Sequence, residues 1–456
     1  MRRLTTILLL ALLVCAGASM RAATATNSLV WQVAADRVSA DIRGEALWPL
    51  LEDIAHQTGW HIFVEPGAAR KADVKFSNLP PGEALKKLLG DLNFAFVPKT
   101  NEASQLYVFT TTMRAATQRV AAAGLGKTAP QKHVANELLL KVKPGTDIEA
   151  LAKSLGAKIV GRDDKLGIYR LQFDDAAATE AALAKFKTNS DVATVEYNYI
   201  LDPPVAPQKI AGASAPVGPV SLTLNPPGDS GRVIVGLVDT SIQSLGADLD
   251  KLLLKQISVA GDTSVNSTDP THATSMAETI LRAMAAQGGS TSAQILPVDV
   301  YGGNETATSW NVALGVQAAV DGGATVLNLS LGGTTDSAIL NDVIQQALAK
   351  GIVVFAAAGN QPVSTPTYPA ADSGVIAVAA TQGGQLASYS NYGSFIAMAL
   401  PGASVVYLGG QAYVVQGTSP ATAYATGVAA GTKSGTSMTW TQILAAMQQK
   451  FPVPAK

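Results

Sequence analysis

Ser419 lies where a loop turns into a helix of small residues, in the stretch Gln416-Gly417-Thr418-Ser419-Pro420-Ala421-Thr422-Ala423. A hydroxyl at a helix N-terminus is close to backbone N–H groups that have no partner inside the helix and can hold a negatively charged oxygen. Ser419 is therefore a candidate nucleophile. A Gly-Thr-Ser triplet alone is weak evidence, because such triplets are more often turns or helix caps.

Three further residues upstream carry groups that suit such a nucleophile. Asp239 directly follows the apolar run Val233–Val238, and Asn360 ends the segment Ala356-Ala357-Ala358-Gly359-Asn360. His272 is the only histidine after residue 133. If this half of the chain performs serine chemistry, no other imidazole base is available to it.

The order Asp239, His272, Asn360, Ser419 resembles the subtilisin-like serine proteases, whose catalytic triad runs Asp, His, Ser along the chain. The resemblance covers roughly the last half of the chain, residues 231–456. It implies a serine endopeptidase that works through an acyl-enzyme. It also implies that His272 is the base, that Asp239 orients the imidazole, and that Asn360 and the Ser419 backbone N–H hold the oxyanion.

Segments around the site extend the resemblance. Asn328–Gly333 resembles the substrate-binding strand of the family, and Tyr368-Pro369-Ala370 resembles a wall of its primary pocket. Thr367 stands at a floor position where relatives often carry glycine. The resemblance implies an apolar, uncharged pocket that accepts Ala, Val or Leu before the scissile bond. The residues assigned to this pocket are Ser330, Leu331, Gly332, Ala357, Ala358, Gly359 and Thr367.

Six positions near the motifs depart from the family pattern. None removes a reacting group, but Ala273 and Pro420 adjoin one, and a misplacement near 1 Å can cost ~100-fold in rate. The alternative function is therefore a catalytically inactive adaptor of the Gram-negative envelope that keeps the protease fold. The departures are Ser241, Ala273, Ser275, Pro420, Ala423 and Tyr424.

The elements that must position these residues are apolar strands alternating with helices. One helix has apolar residues at helical spacing from Ile339 to Leu348 and is expected to end at Gly351. This pattern predicts an α/β fold in which helices cover both faces of a parallel sheet. The sites of such folds lie at the C-terminal strand ends. The predicted strands are Val233–Val238, Gln294–Val300, Thr325–Leu329, Ile352–Ala356 and Val375–Val378.

Composition limits the possible partners. The 456 residues carry a formal net charge of −1 and 15% charged residues, which gives no reason to expect a nucleic acid or an anionic membrane surface. No cluster of carboxylates supplies the six or more oxygen ligands that a calcium site needs. We therefore expect no metal and no cofactor, and a protein or peptide substrate.

A basic head and an apolar run at residues 1–14 predict a secretory signal peptide over residues 1–22. The run is shorter than the roughly 20 residues that span a bilayer, although an uncleaved anchor is the alternative. Cys15, the only cysteine, would leave with the signal. The expected mature protein is exported, has no membrane span and forms no disulfide.

Residues 30–112 predict a small domain of strand, helix, two strands, helix and strand. Its helices lie near Leu47–Ala55, with Gly59 as the stop, and after Pro80-Pro81. The domain resembles the short N-terminal domain of secretins and TonB-dependent receptors. That resemblance implies a docking module for an envelope partner and a periplasmic setting.

A linker is expected at residues 113–135, and residues 136–200 then repeat the pattern of strand, helix, two strands, helix and strand. This domain resembles the propeptide of subtilisin-like proteases, which implies an inhibitor whose tail, Glu196–Ile200, lies in the substrate cleft by strand addition. A ferredoxin-like domain without an inhibitory role is the alternative. The proline-rich linker at 201–230 should be extended and open to cleavage.

Overall fold

The computed structural model describes residues 28–32, 37–65, 68, 70–99, 104–116, 118–120, 132–210, 220–226, 232–261, 265 and 267–454. The chain forms two compact units, residues 1–125 and 126–456. Within the described ranges, no helix is both long and apolar enough to cross a membrane. The predicted signal peptide, with Cys15, lies outside them.

The N-terminal unit is an α+β domain around its own apolar core. Its first helix ends at Gly59, which adopts a left-handed conformation with φ 71°. Three regions differ from the prediction. Two strands rather than one precede the first helix, two rather than one follow the second helix, and residues 118–120 pair with the strand at 61–64. The expected linker therefore begins later than residue 113. The elements are β1 (Ser28–Gln32), β2 (Arg37–Ala46), α1 (Leu47–Thr58), β3 (His61–Val64), β4 (Lys71–Leu79), α2 (Pro81–Leu89), β5 (Asn93–Val97), β6 (Gln105–Phe109), a 3-10 helix (Met113–Ala115) and β7 (Gln118–Val120).

The second unit opens with a four-stranded antiparallel sheet in the order β11-β8-β10-β9 and two helices. Asp147 and Asp175 cap these helices by accepting hydrogen bonds from backbone N–H groups. The predicted pattern is confirmed, except that the first strand starts at His133 and so shortens the linker from its other end. The elements are β8 (His133–Val142), α3 (Ile148–Ser154), β9 (Lys158–Asp163), β10 (Ile168–Gln172), α4 (Ala176–Phe186) and β11 (Val192–Tyr199).

The rest of the second unit is built on an eight-stranded sheet. Its order is β15-β17-β14-β18-β19-β20-β21, with β22 also paired to β20, and all pairs except β20–β21 are parallel. The elements are β12 (Gln208–Lys209), β13 (Thr223–Leu224), β14 (Ile234–Asp239), α5 (Ala247–Asp250), β15 (Ile257–Ser258), α6 (His272–Gly288), β16 (Ser290–Thr291), β17 (Gln294–Asp299), α7 (Ser309–Asp321), β18 (Val326–Leu329), α8 (Ala338–Ala349), β19 (Val353–Ala357), β20 (Ile376–Gln382), β21 (Gln385–Leu386), β22 (Ile396–Pro401), β23 (Ala403–Leu408), β24 (Gln411–Gln416), α9 (Thr418–Gly435) and α10 (Trp440–Lys450).

Helices cover both faces of this sheet, as predicted. Residues of α7 and α8 contribute to one apolar core, and residues of α6, α9 and α10 contribute to a second. The strands between the two cores are buried along their whole length. Because parallel strands end at the same edge, β14, β18 and β19 deliver their following residues to one place.

Candidate active site

Asp239 and His272 form a buried pair at the C-terminal edge of the sheet. Asp239 ends β14, and His272 is the first residue of α6, whose N-cap is Thr271. The imidazole Nδ1 lies 2.8 and 2.9 Å from the two carboxylate oxygens of Asp239. Ala273 does not displace the helix start, because its N–H donates to the Thr240 hydroxyl at 3.0 Å and so ties the first turn of α6 to the end of β14.

Ser419 is the second residue of α9, as the loop-to-helix pattern predicts. The helix is preceded by Gly417 with φ 146°, a conformation that favours glycine, and a Cβ there would lie 3.1 Å from the Asn360 amide nitrogen. Pro420 fits because it is the third residue of the helix, where the backbone N–H has no partner within the helix.

The Ser419 hydroxyl donates to the backbone carbonyl of Ser330 at 3.1 Å. The Ser330 hydroxyl in turn donates to the Ser419 carbonyl at 3.1 Å. His272 Nε2 is buried and has no hydrogen-bond partner among the described residues. The serine thus lies against Ser330, the residue that follows β18, while the ring nitrogen that a general base would use has no partner in the described part of the chain.

Asn360 follows β19 and holds the loop before the serine. Its side-chain oxygen accepts hydrogen bonds from the Thr418 N–H at 2.8 Å and from the Thr418 hydroxyl at 3.1 Å. Because the oxygen faces Thr418, the amide NH₂ is the end left for another acceptor. Asn360 and Ser419 line the same cavity.

That cavity has a volume of about 310 Å³. Six of the seven predicted pocket residues line it: Ser330, Leu331, Gly332, Ala357, Gly359 and Thr367. Ala358 is not among the residues that line the cavity, and its side chain is fully buried. The Ala358 carbonyl accepts a hydrogen bond from the Thr367 hydroxyl at 2.5 Å. This bond directs the hydroxyl toward the backbone of the wall rather than into the cavity.

The sequence analysis missed several contributors to the cavity, among them Asn391 and Asp202. Asn391 lies in the loop before β22 and is fully buried beneath the cavity. Asp202 brings a carboxylate to a pocket expected to be uncharged, and burial raises the pKa of this group. Neither stands in a recognisable motif, so only their positions in the folded chain reveal them.

Residues 200–210 cross the cleft. The Leu201 N–H donates to the Ala307 carbonyl at 3.0 Å, and the Asp202 N–H donates to the Gly332 carbonyl at 3.1 Å. Pro203, Pro204 and Val205 then line the cavity. On the far side of the cavity, β12 pairs antiparallel with β24, the strand that leads to Ser419.

The inhibitory tail was predicted to begin at Glu196, which was wrong. Residues 192–199 form β11 in the four-stranded sheet that opens the second unit, and only the chain after β11 enters the cleft. Because side chains alternate along a strand, Glu196 and Asn198 share one face. Both reach helix N-termini of the larger domain, where Asn198 accepts a hydrogen bond from the Trp310 N–H at 3.2 Å.

Glu196 accepts hydrogen bonds from the Ser337 hydroxyl, from the Ala338 N–H at 2.8 Å and from the Ile339 N–H at 3.4 Å. Burial raises the pKa of its carboxyl to about 7, although these hydrogen bonds act in the opposite direction, and the nearby charge of Asp336 raises it further.

Comparison with known proteins agrees with this architecture. Residues 230–451 match the subtilase family, and residues 119–198 match the fervidolysin N-terminal prodomain. A thermophilic serine proteinase of a Bacillus species is 30% identical over 317 residues, which are 65% of this chain and 78% of that protein. A thermostable alkaline protease of Halalkalibacterium halodurans is 37% identical over 188 residues, 39% of this chain. The chain spans about half the length of that relative, 52%.

Among solved structures, fervidolysin of Fervidobacterium pennivorans, described as a keratinolytic enzyme related to subtilisin, superimposes with a TM-score of 0.52 at 22% identity. The match covers 67% of this chain and 55% of fervidolysin. At this identity the match supports the fold, and the sequence relatives carry the assignment of the family. From these relatives, and from the order of strands and helices around the site, the chain belongs to the subtilase family of serine endopeptidases.

Proposed function

We propose that this chain is an exported serine endopeptidase, made as a zymogen, whose catalytic triad is Asp239, His272 and Ser419. The observation that carries the proposal is the buried Asp239–His272 pair, whose Nε2 is unpartnered among the described residues. A serine at a helix N-terminus supplies the matching nucleophile. In the reaction the Ser419 hydroxyl leaves the Ser330 carbonyl and donates to Nε2.

The reaction then has two halves. The Ser419 oxygen bonds to the substrate carbonyl carbon as His272 takes the hydroxyl proton, and the C–N bond breaks as the imidazolium returns that proton to the leaving amine. Water next attacks the acyl-enzyme, again with His272 as base, and releases the acid and the free serine. Asp239 stabilises the imidazolium, while the Asn360 NH₂ and the Ser419 N–H hold the oxyanion.

The first domain of the second unit acts as the inhibitor of its own protease. Support comes from the chain itself, since residues 200–205 occupy the cleft and β11 caps α7 and α8. Maturation requires a cut between about Tyr199 and Arg232, made by the enzyme itself. A Ser419→Ala chain should stay uncut in a host that lacks other proteases, and equal clipping of both chains contradicts self-processing.

The N-terminal unit is proposed to be a docking domain for a Gram-negative envelope partner, on its resemblance to the short domain of secretins and TonB-dependent receptors. Its separate core supports an independent module. Export rests on the predicted signal at residues 1–22. Deleting residues 23–125 should therefore preserve peptide hydrolysis and release the enzyme from an envelope fraction.

A serine-directed fluorophosphonate tests the central proposal. The processed wild-type protein should become labelled at Ser419, and Ser419→Ala should not be labelled. Absence of labelling in correctly folded, processed wild type would contradict the proposal and favour the inactive adaptor.

A further inference from the structure

Asn391 lies directly beneath the turn that carries Asn360. Its backbone N–H donates to the Gly359 carbonyl at 2.9 Å, and its side-chain oxygen accepts a hydrogen bond from the Gln361 N–H at 2.8 Å. One residue thus binds the backbone on both sides of Asn360. Its side chain is fully buried, so water does not compete for these two bonds.

The orientation of the Asn391 amide follows from these contacts. Because its oxygen faces an N–H donor, its nitrogen must point the other way. That nitrogen finds no partner within the described part of the chain and lies against Gly359, where a Cβ would be only 2.5 Å away. Gly359 has φ +103°, so the turn needs glycine both for its backbone conformation and to admit the amide.

The same turn is held from its other side by the serine loop. The Gly359 N–H donates to the Thr418 hydroxyl at 3.1 Å, and Asn360 accepts the Thr418 N–H. Hydrogen bonds therefore connect Asn391 to the residue immediately before Ser419. The side-chain group of Asn360 that remains for a substrate oxygen is its NH₂, and the position of that group depends on this turn.

We propose that Asn391 is a positioning residue that holds the Asn360 amide where the oxyanion develops. The inference rests on the proposed function, because it assigns Asn391 to the same reaction. Losing one oxyanion donor costs about 10²- to 10³-fold in kcat, a magnitude established on a subtilisin. Removing its support should cost less, on the order of 10- to 100-fold, because the donor is displaced rather than lost.

The test separates catalysis from stability. Asn391→Ala removes the acceptor, and Asn391→Leu removes it while keeping a similar volume, so Leu carries the test if Ala does not fold. Both should lower kcat by ~10- to 100-fold toward a chromogenic peptide anilide, with KM changed less than about twofold, because the contact matters only once the oxyanion forms. Wild-type kcat in the Leu variant would mean that Asn391 only fills space, which overturns the proposal.

Thr291→Ala is the matched control. The Thr291 hydroxyl is also buried and accepts a backbone N–H, that of Ala293, at 3.0 Å, but it lies just before the N-terminal end of β17, the opposite edge of the sheet from the site. This variant should lower the thermal unfolding midpoint and leave kcat unchanged. A comparable loss of kcat here would show that any buried hydrogen bond matters as much, and would overturn a specific role for Asn391.

A double-mutant cycle with Asn360→Ala completes the experiment. If Asn391 acts through Asn360, adding Asn391→Leu to Asn360→Ala should change kcat by less than about twofold, whereas additive losses overturn the proposal. The full-length chains are activated by a trace of wild type, with Ser419→Ala treated in the same way as the blank. An inactive wild type refutes the proposed function and this inference together, while an active wild type with additive losses refutes this inference alone.

Discussion

Glu196 and Asn198 are two residues apart on β11 and make equivalent contacts. Glu196 can carry a charge, whereas Asn198 is neutral. Each leads from the domain that matches the prodomain to a helix N-terminus of the subtilase domain, Glu196 to α8 and Asn198 to α7. Asn198 is neutral and satisfies both ends of its amide, since its nitrogen donates to Glu137 at 2.7 Å. Glu196 gains more hydrogen bonds, but its charge must be buried next to the charge of Asp336.

The two contacts respond differently to pH, because only Glu196 can change its charge. For Glu196 the docked carboxyl has a pKa of about 7 against an ordinary 4.5. Docking through this residue is therefore strongest below pH 4.5 and is weakened as the pH rises through 7, because the charged form is the one that burial disfavours. Asn198 contributes the same at every pH.

The largest expected effect is the pH dependence of cleft opening. The rate at which a fluorophosphonate labels the unprocessed chain, divided by the rate for Glu196→Gln, should rise up to ~100-fold between pH 4.5 and 8, since each pKa unit is tenfold. The ratio removes the titration of the triad itself, which both chains share. A ratio that is flat with pH would show that Glu196 does not control docking.

Asn198→Ala should have the next largest effect and no pH dependence. The change removes the hydrogen-bond partner of the Trp310 N–H and of the Glu137 carboxylate. The free energy of docking should become less favourable by about 2 kcal/mol, or roughly 30-fold in the docking equilibrium. The unprocessed variant should be labelled faster by that factor at both pH 5 and pH 8. A factor that differs between the two pH values would remove the distinction between the two residues.

Replacing Pro204 separates docking from cutting. Proline lacks the N–H that an extended peptide would present to the substrate-binding strand, so residues 203–205 block the cleft without making a good substrate. Pro204→Ala should make self-cleavage between residues 204 and 205 about tenfold faster, as measured by mass spectrometry. Pro207→Ala, a proline outside the cavity lining, should leave the rate unchanged, and adding Ser419→Ala should abolish the new cut.

A comparable effect, of about tenfold, concerns the pocket. Thr367→Gly should shift preference in peptide libraries from Ala, Val and Leu toward Phe and Tyr by about tenfold, because the floor loses volume. Thr367→Ser keeps the hydroxyl that bonds Ala358 and should shift preference less. Neither variant should alter the pH ratio of cleft opening, and unchanged preference would mean that Thr367 is not the floor.

The local pattern of apolar and polar residues was sufficient to predict most of the fold. The helix expected at 339–348 spans Ala338–Ala349, and the apolar strands of the sheet lie where they were predicted. These elements could be predicted because burial of a helix face or a strand leaves a characteristic spacing of apolar residues within a short stretch of sequence. The short strand β7 was missed since its three residues have too little pattern, and its pairing with β3 joins residues more than fifty positions apart.

The candidate site residues could be identified from the sequence alone, because Ser419 precedes a helix of small residues, Asp239 ends an apolar strand and His272 is the only histidine after residue 133. The residues that surround them could be identified only from the folded chain. Glu196 meets α8 across 142 residues, and Asn391 meets Gln361 across 30. Such contacts leave no periodicity in the sequence, because they depend on where separate elements pack and which buried polar groups they can satisfy.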